Sequence, residues 1–384
     1  MSTLGAPGSA AEVYARLGVR RVINAADTYT DLGGARFPDE VAAAVAGGAS
    51  HQVDLLELMD RAGRRVAELT RNPAALFVAG AGAGVAVTVA AAIAGTSREL
   101  PMTAAEAGAA RNDIVVLCCQ RNPYDRIVEA TGGTLVQVGH SDSTPIGELR
   151  QAVESGTARA ILWFAGAQFE RYSPPLEQVA EIAKTAGVPL IVDAAAQYPP
   201  FSNLWTYRER GADMVIFSGG KGLKGPQTSG LVLGTEDWIA ACARNAFPQH
   251  AIGRPMKTGK ENIVGLLAAV ERAAAIDEDE QYAHWSSQLD EALARLRDVP
   301  GLTTWIEPAG RQGQACPRLF LRTAADARTA TEVAATLAAG SPSIRIGTGE
   351  GGERTAFLNP MSLLPGELEI VTDELVRVLH EEQR

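Results

Sequence analysis

Between residues 74 and 234 short, almost wholly apolar runs alternate with longer helix-forming ones, and this alternation constrains the fold more than any other feature. The apolar runs are 75–79, 114–118, 135–138, 160–164, 188–192 and 214–217. Between them, 83–95, 123–131, 146–155 and 174–186 are expected to be helices. The last begins on prolines and has Gly187 just past its end, the usual punctuation of a helix. A strand with one face in water alternates polar and apolar residues. These runs do not, so their sheet must be covered on both sides. The pattern predicts an α/β fold, a mostly parallel sheet with helices on both faces. Residues 97–112 are expected to be a polar insertion or a short helix.

The flanks differ. Residues 10–18 predict a short helix, RRVINAA a strand and DTYTDLGGARFP a loop, with a helix starting at Pro38. Residues 53–70 carry a helical stripe of Val53, Leu56, Met59, Ala62, Val66 and Leu69. Residues 1–70 are therefore expected to wrap over a large domain at 71–265 and its site. A long helical stretch spans 262–299. After Pro300 come shorter strands (LTTWIEP, PRLFLRT, SIRIG), a helix (ATEVAATLAAG) and a last helix from Pro365. That predicts a small α+β C-terminal domain over 266–384.

Several functional classes recede. A net charge of −10 argues against nucleic-acid binding. The apolar run 83–95 is too short to cross a membrane. The N-terminus lacks a basic region followed by an apolar run, as a signal peptide requires. Cys118, Cys119, Cys242 and Cys316 form no CxxC, and His51, His140, His250, His284 and His380 show no ligand spacing, so no metal site is expected. Sparse cysteine fits a reducing cytoplasm.

Two apolar strands deliver polar groups at their carboxyl ends: Asp193 after VPLIV, and Ser218 then Lys221 after MVIF. Ligands gather at that edge of an open α/β sheet. Alone, Asp193 reads equally as a helix cap or surface acid, and Lys221, among glycines, as a turn lysine. Together they suit pyridoxal 5'-phosphate. The lysine would bind the cofactor covalently and the acid would keep its pyridine nitrogen protonated. Ser218 can offer a hydroxyl to the phosphate. Lys224 is the competing lysine, three residues further from the strand end. GAGAG at 80–84, between strand and helix, has the shape of an anion cradle, or of tight helix–sheet packing. It is not GxGxxG, because Val85 stands in place of the third glycine.

The segments IVDAAAQ and SGGKGLKGPQTSGLVLG resemble the cofactor-lysine region of fold-type I pyridoxal-phosphate enzymes. Within them the chain resembles the branch of selenocysteine synthase and D-glucosaminate-6-phosphate ammonia-lyase, through INAADTYTDLGGARFPDEV, VDLLELMDRAG, QRNPYD, IGRPMKTGKENIVGLLAAVE and LNPMSLLPGEL. The ammonia-lyase side is the closer match. The resemblance implies that Lys221 is the Schiff-base lysine and Asp193 the pyridinium partner. It also implies that Ser218 and the backbone of Gly82, Ala83, Gly84 and Val85 hold the phosphate, that Gln197 contacts the cofactor, and that Lys257 and Lys260 match basic positions from which they would reach a phosphate, across a dimer interface. Gln120 stands where relatives put a ring-stacking aromatic or histidine. It departs from them, so Tyr124 or Asn122 is an alternative. Asp27 departs from a glycine in the opening loop. Arg36, Arg254 and Arg345 are candidates for the substrate carboxylate, and Tyr29, in the opening loop, for substrate contact.

The implied function is a lyase eliminating across Cα and Cβ of a polar or hydroxylated amino acid, with release of ammonia. Racemisation, retro-aldol cleavage, a selenocysteine-synthase-like transfer and a degenerate binding protein are the alternatives. The resemblance implies a homodimer or higher homo-oligomer, a small-molecule substrate, and no nucleic-acid or membrane partner.

Overall fold

A computed structural model describes residues 10–96 and 112–380. The expected insertion at 97–112 lies, except for Asn112, outside the described residues. Strand β1 (Val22–Ala25) opens the chain. The next seven strands are β2 (Ala74–Val78), β3 (Asp113–Leu117), β4 (Thr134–Val138), β5 (Ala158–Phe164), β6 (Leu190–Asp193), β7 (Met214–Ser218) and β8 (Gly230–Gly234). They form one sheet in the order β2-β8-β7-β6-β5-β3-β4. The pairs β4/β3, β3/β5, β5/β6 and β6/β7 are parallel, and β8 runs antiparallel to both neighbours. The mostly parallel α/β sheet follows the sequence pattern. The antiparallel β8 does not appear in that pattern, because its connection from β7 is a glycine-rich loop without a helix.

Both faces of this sheet are buried, and successive residues go to opposite sides. Leu190 and Val192 of β6, with Val215 and Phe217 of β7, join one apolar cluster. Ile191, Met214 and Ile216 join the other, together with Val85, Val87 and Val89 of the helix Ala81–Ala94. By this alternation Asp193 and Ser218 fall on the face that the helix Ala81–Ala94 covers. Local chemistry fixes the element ends. Asp54 caps the helix Leu55–Leu69 by accepting from Leu56 N (2.9 Å) and Glu57 N (3.0 Å). Gly187, at φ +69°, closes the helix Leu176–Ala186, a left-handed end that glycine adopts at no steric cost.

The remaining strands are β9 (Leu302–Glu307), β10 (Arg318–Thr323), β11 (Ser343–Thr348) and β12 (Thr355–Leu358). With β1 they make a second sheet, ordered β1-β11-β12-β10-β9, in which only β1/β11 is parallel. The contacts divide the chain into two compact units. One holds 33–278 and 311–315; the other holds the described residues up to Leu32, 279–310 and the described residues from 316. This differs from an opening segment of 70 residues followed by domains at 71–265 and 266–384. β1 pairs with β11, which ties the first residues to the C-terminal unit. The helices Asp39–Ser50 and Leu55–Leu69 pack on the helix Lys260–Ala275 and so belong to the large unit. The expected helical stretch over 262–299 holds two helices, Lys260–Ala275 and Glu278–Leu296.

Candidate active site

In the large unit, a cavity of about 220 Å³ opens at the carboxyl ends of β5 and β6 and is lined by both Asp193 and Lys221. Asp193 sits at the end of β6 and is 8% exposed. One carboxylate oxygen accepts from Ala195 N at 3.0 Å. The other has no hydrogen-bond donor among the described residues and is left for the cavity. Burial pushes the Asp193 pKa up, while the Ala195 N–H and the Lys221 charge hold it down. A cation placed beside it would therefore meet an acceptor short of partners.

Lys221 lies in a loop that folds back on itself. Gly219 N donates to Ser229 O (2.8 Å), Gly225 N to Gly219 O (2.8 Å) and Lys224 N to Lys221 O (2.9 Å). Lys221 lines the cavity and Lys224 does not. The opening loop reaches this turn, since Ala35 N donates to Gly220 O at 2.9 Å. Gly34, at φ +77°, has no room for a Cβ because Gln227 Oε1 occupies the place.

The GAGAG glycines divide by role. Gly80 takes φ +94°, and the N–H groups of residues 81–83 precede the first intrahelical bond, Gly84 N to Gly80 O (3.1 Å). Those donors are free for an anion. Gly84 instead allows close packing, since a Cβ there would stand 2.6 Å from Ile216 Cγ2. Gly230, which pairs with Ser218, would meet the Gly80 backbone within 2.9 Å if it carried a Cβ. Ser218 thus ends its strand beside the start of the helix. Gly82, Ala83, Gly84, Val85 and Ser218 do not line the cavity itself.

Several expected contacts are used otherwise. Gln120 is fully buried; its Nε2 donates to Ser173 Oγ (2.9 Å) and its Oε1 accepts from Phe164 N (2.9 Å). It cannot stack on a ring, but it fixes its own loop to the end of β5. Asn122 and Tyr124 of that loop line the cavity. Gln197 Nε2 donates to Gln312 O (3.1 Å) and Ala165 O (3.4 Å), and its Oε1 accepts from Tyr207 OH (3.2 Å). That places it behind the wall. Lys260 Nζ donates to Gly48 O (2.7 Å) and Ala49 O (3.0 Å), at the carboxyl end of the helix Asp39–Ser50. Cations favour that position. Lys257 and Arg36 are exposed, and Arg254 lies over the Phe247 ring at 5.4 Å. None of the three lines the cavity. Tyr29 and Arg345 belong to the other unit, where both are exposed and Arg345 pairs with Asn24 across β1/β11.

Phe164, Gln168, Phe169 and Gln312 also line the cavity. The first three follow from β5 ending at Phe164, at the same sheet edge as Asp193. Nothing in the sequence around Gln312 marks it.

The residues fit pyridoxal phosphate. An ammonium, a buried carboxylate with one oxygen lacking a donor, and a helix start beside a serine are the groups that its aldehyde, ring nitrogen and phosphate require.

Comparison with known proteins agrees. The family described as SelA, L-seryl-tRNA selenium transferase, matches residues 22–282. The chain is 34% identical over 94% of its length to a 5'-C-glycyluridine monooxygenase-decarboxylase from a Streptomyces species, covering 88% of that protein. It is 30% identical over 94% of its length to a D-glucosaminate-6-phosphate ammonia lyase from Salmonella typhimurium, covering 96%. A solved structure of D-glucosaminate-6-phosphate ammonia-lyase superposes with a TM-score of 0.82 at 29% identity, covering 97% of this chain and 99% of that one.

Proposed function

The chain belongs to the L-seryl-tRNA selenium transferase family, and from that premise we propose that it is a pyridoxal-phosphate lyase. It eliminates across Cα and Cβ of a polar, hydroxylated amino acid and releases ammonia and a 2-oxo acid. The observation that carries this is the cavity shared by Lys221 and Asp193. When bound, pyridoxal phosphate supplies an electron sink for the charge that develops at Cα. The Asp193 oxygen not engaged by Ala195 N holds the proton on the ring nitrogen. The N–H groups of residues 81–83, with Ser218, receive the phosphate. Lys221 Nζ removes the Cα proton and, once protonated, can hand a proton to the hydroxyl leaving Cβ. Phe164 and Phe169, with ring centroids 6.1 Å apart, give the site an apolar side that limits water.

The names of two relatives support a substrate built on a sugar, one a glycyluridine and the other a glucosaminate derivative. A transfer on tRNA is less well supported. The alignment with an L-seryl-tRNA(Sec) selenium transferase from Hyphomonas neptunium covers 63% of this chain and 53% of that protein, and the net charge here is −10. A second reading rests on the 34% identical relative, named a monooxygenase-decarboxylase. In that reaction the charge at Cα follows loss of the carboxylate, and dioxygen is consumed. The proposal includes at least a homodimer, which the exposed Val53 and Leu56 support, and a cytoplasmic location, with which the four cysteines in 384 residues fit. Among the described residues no helix is long and apolar enough to cross a membrane.

The test presents a panel of hydroxylated and sugar-derived amino acids to the cofactor-loaded protein. Equal amounts of ammonia and 2-oxo acid are expected. Carbon dioxide release with oxygen uptake would favour the second reading. Lys221→Ala is expected to cut turnover by about 10³-fold or more and to remove the visible absorbance of the bound cofactor. Persistence of that absorbance refutes the lysine assignment.

A further inference from the structure

Three consecutive residues, Asn122, Pro123 and Tyr124, form one wall of the cavity that Lys221 and Asp193 share. They lie in a short loop, and a loop keeps the shape of a wall only where its ends are fixed. The entry is fixed by Gln120, whose amide is spent on Phe164 N and Ser173 Oγ. The exit is fixed by Asp125. Its Oδ2 accepts from Asn122 N at 3.2 Å, while Asn122 Oδ1 accepts from Tyr124 N at 2.9 Å. Asp125 also pairs with the Arg121 guanidinium, through Oδ2 to Nε and through Oδ1 to Nη2 (3.5 Å). Two residues further on, Ile127 reaches the start of the helix Ala81–Ala94. A Cβ added at Gly82 would stand 3.3 Å from Ile127 Cδ1. Along the chain Asp125 therefore sits between the cavity wall and a residue that packs on the backbone donors at 81–83.

The reciprocal bonds of Asn122 and Asp125 make a capping box, an ordinary device at a helix start. The helix Ala330–Ala339 has one too, in which Glu332 Oε2 accepts from Thr329 N at 2.8 Å and Thr329 Oγ1 from Glu332 N at 3.2 Å. The two boxes differ in where the acid lies. Glu332 is exposed, whereas Asp125 is 1% exposed. Capping does not require burial, and taking a carboxylate out of water is costly. The turn that Asp125 caps is only Pro123–Asp125, too short to repay that cost by itself. Burial adds immobility to the residues between Asn122 and Asp125, which are the ones that line the cavity.

We propose that Asp125 is a positioning residue: its buried carboxylate holds Asn122–Tyr124 in the shape that walls the cavity, and through them sets how pyridoxal phosphate is bound there. This rests on the function proposed above. At 1% exposure Asp125 does not meet a ligand in the cavity, so its effect passes through the loop.

The test compares Asp125→Ala with Glu332→Ala, which removes the acid of the other box. It reads amide hydrogen exchange over 121–125 in the cofactor-free protein, the affinity for pyridoxal phosphate, and the visible circular dichroism of the bound cofactor. Asp125→Ala is expected to speed exchange at Asn122 and Tyr124 and to lower cofactor affinity, each about tenfold, the weight of one hydrogen bond. The dichroism is expected to weaken. Asp125→Asn keeps an acceptor for Asn122 N and should stay within about threefold of the wild type. Glu332→Ala is expected to leave all three readouts at wild-type values. Asp125→Glu keeps the charge on a longer arm, leaves no hole, and is expected to shift the readouts as Asp125→Ala does. The melting temperature of each variant shows that it is folded. Wild-type exchange in folded Asp125→Ala and Asp125→Glu overturns the assignment. So does a released loop with unchanged cofactor affinity and dichroism, or an equal change in Glu332→Ala. A wild type that takes up no cofactor overturns the proposed function, while a loop released in Asp125→Ala still keeps Asp125 as the holder of the wall.

Discussion

The two sheets are built from strands of similar length, yet a polar residue means different things in each. In the seven-stranded sheet β3, β6 and β8 are buried at every position, and β7 at all but its last. Asp193 is therefore an interruption, and an interruption in a doubly covered strand calls for a ligand or a partner. In the five-stranded sheet one face packs Leu319, Leu321, Ile344 and Ile346 into a core. The other carries Trp305, Phe320 and Phe357 in a cross-strand row, with centroid spacings of 5.3 and 5.4 Å. Arg345 lies on this second face and is exposed, the ordinary position for a charge.

Arg318 tests whether the distinction is really one of burial. It shares the second face but is 4% exposed. Its guanidinium pairs with Glu350 at 2.8 Å, donates to Ala309 O at 3.1 Å, and lies 4.9 and 4.8 Å from the Phe320 and Phe357 ring centroids. Arg318→Ala leaves the Glu350 carboxylate half-buried and unpaired, and is expected to cost about 3–5 kcal/mol in denaturant unfolding. Arg345→Ala, on the same face but in water, should stay within about 0.5 kcal/mol. Equal losses would mean that position on the sheet outweighs burial.

The same distinction explains what was legible in the sequence. The doubly buried strands announced themselves as apolar runs, so the mostly parallel sheet and its two polar strand ends could be read directly. β8 was hidden because no helix precedes it, and β12 because its four residues follow a glycine-rich turn. β1 read as a strand, but its partner β11 lies more than 300 residues away in the chain, and no local pattern carries that pairing. Among site residues, Lys221 and Asp193 were legible because glycines and apolar runs frame them. Gln120 misled, since position in a motif does not reveal that both ends of its amide are held by the scaffold. Gln312 was invisible because its place depends on a tertiary contact with Gly166.

Asp193 offers a sharper version of the comparison through pH. Burial raises its folded pKa above the ordinary value of 3.8, and the Ala195 N–H and Lys221 offset only part of this. A carboxyl with a raised folded pKa contributes stability that is fully present below its unfolded pKa and lost as pH rises through the folded one. In the cofactor-free protein, Asp193→Asn removes that loss. Its melting temperature relative to wild type should climb as pH rises from about 4 through the raised folded value, and then level off. A difference that falls over this range would show that the Lys221 charge outweighs burial.

The smallest effect is expected at Lys260, where motif and structure diverge. Resemblance placed this lysine near a cofactor phosphate, but its ammonium is spent on Gly48 O and Ala49 O at a helix end. Lys260→Ala should then cost about 0.3–1 kcal/mol, the usual weight of a cation at a helix carboxyl end. Cofactor affinity should stay at the wild-type value, because the donors beside Ser218 are backbone N–H groups that the substitution leaves in place. A tenfold loss of affinity with unchanged stability would return Lys260 to the phosphate. It would also mean that a charge's hydrogen-bond partners are a poorer guide to its role than its place in a motif.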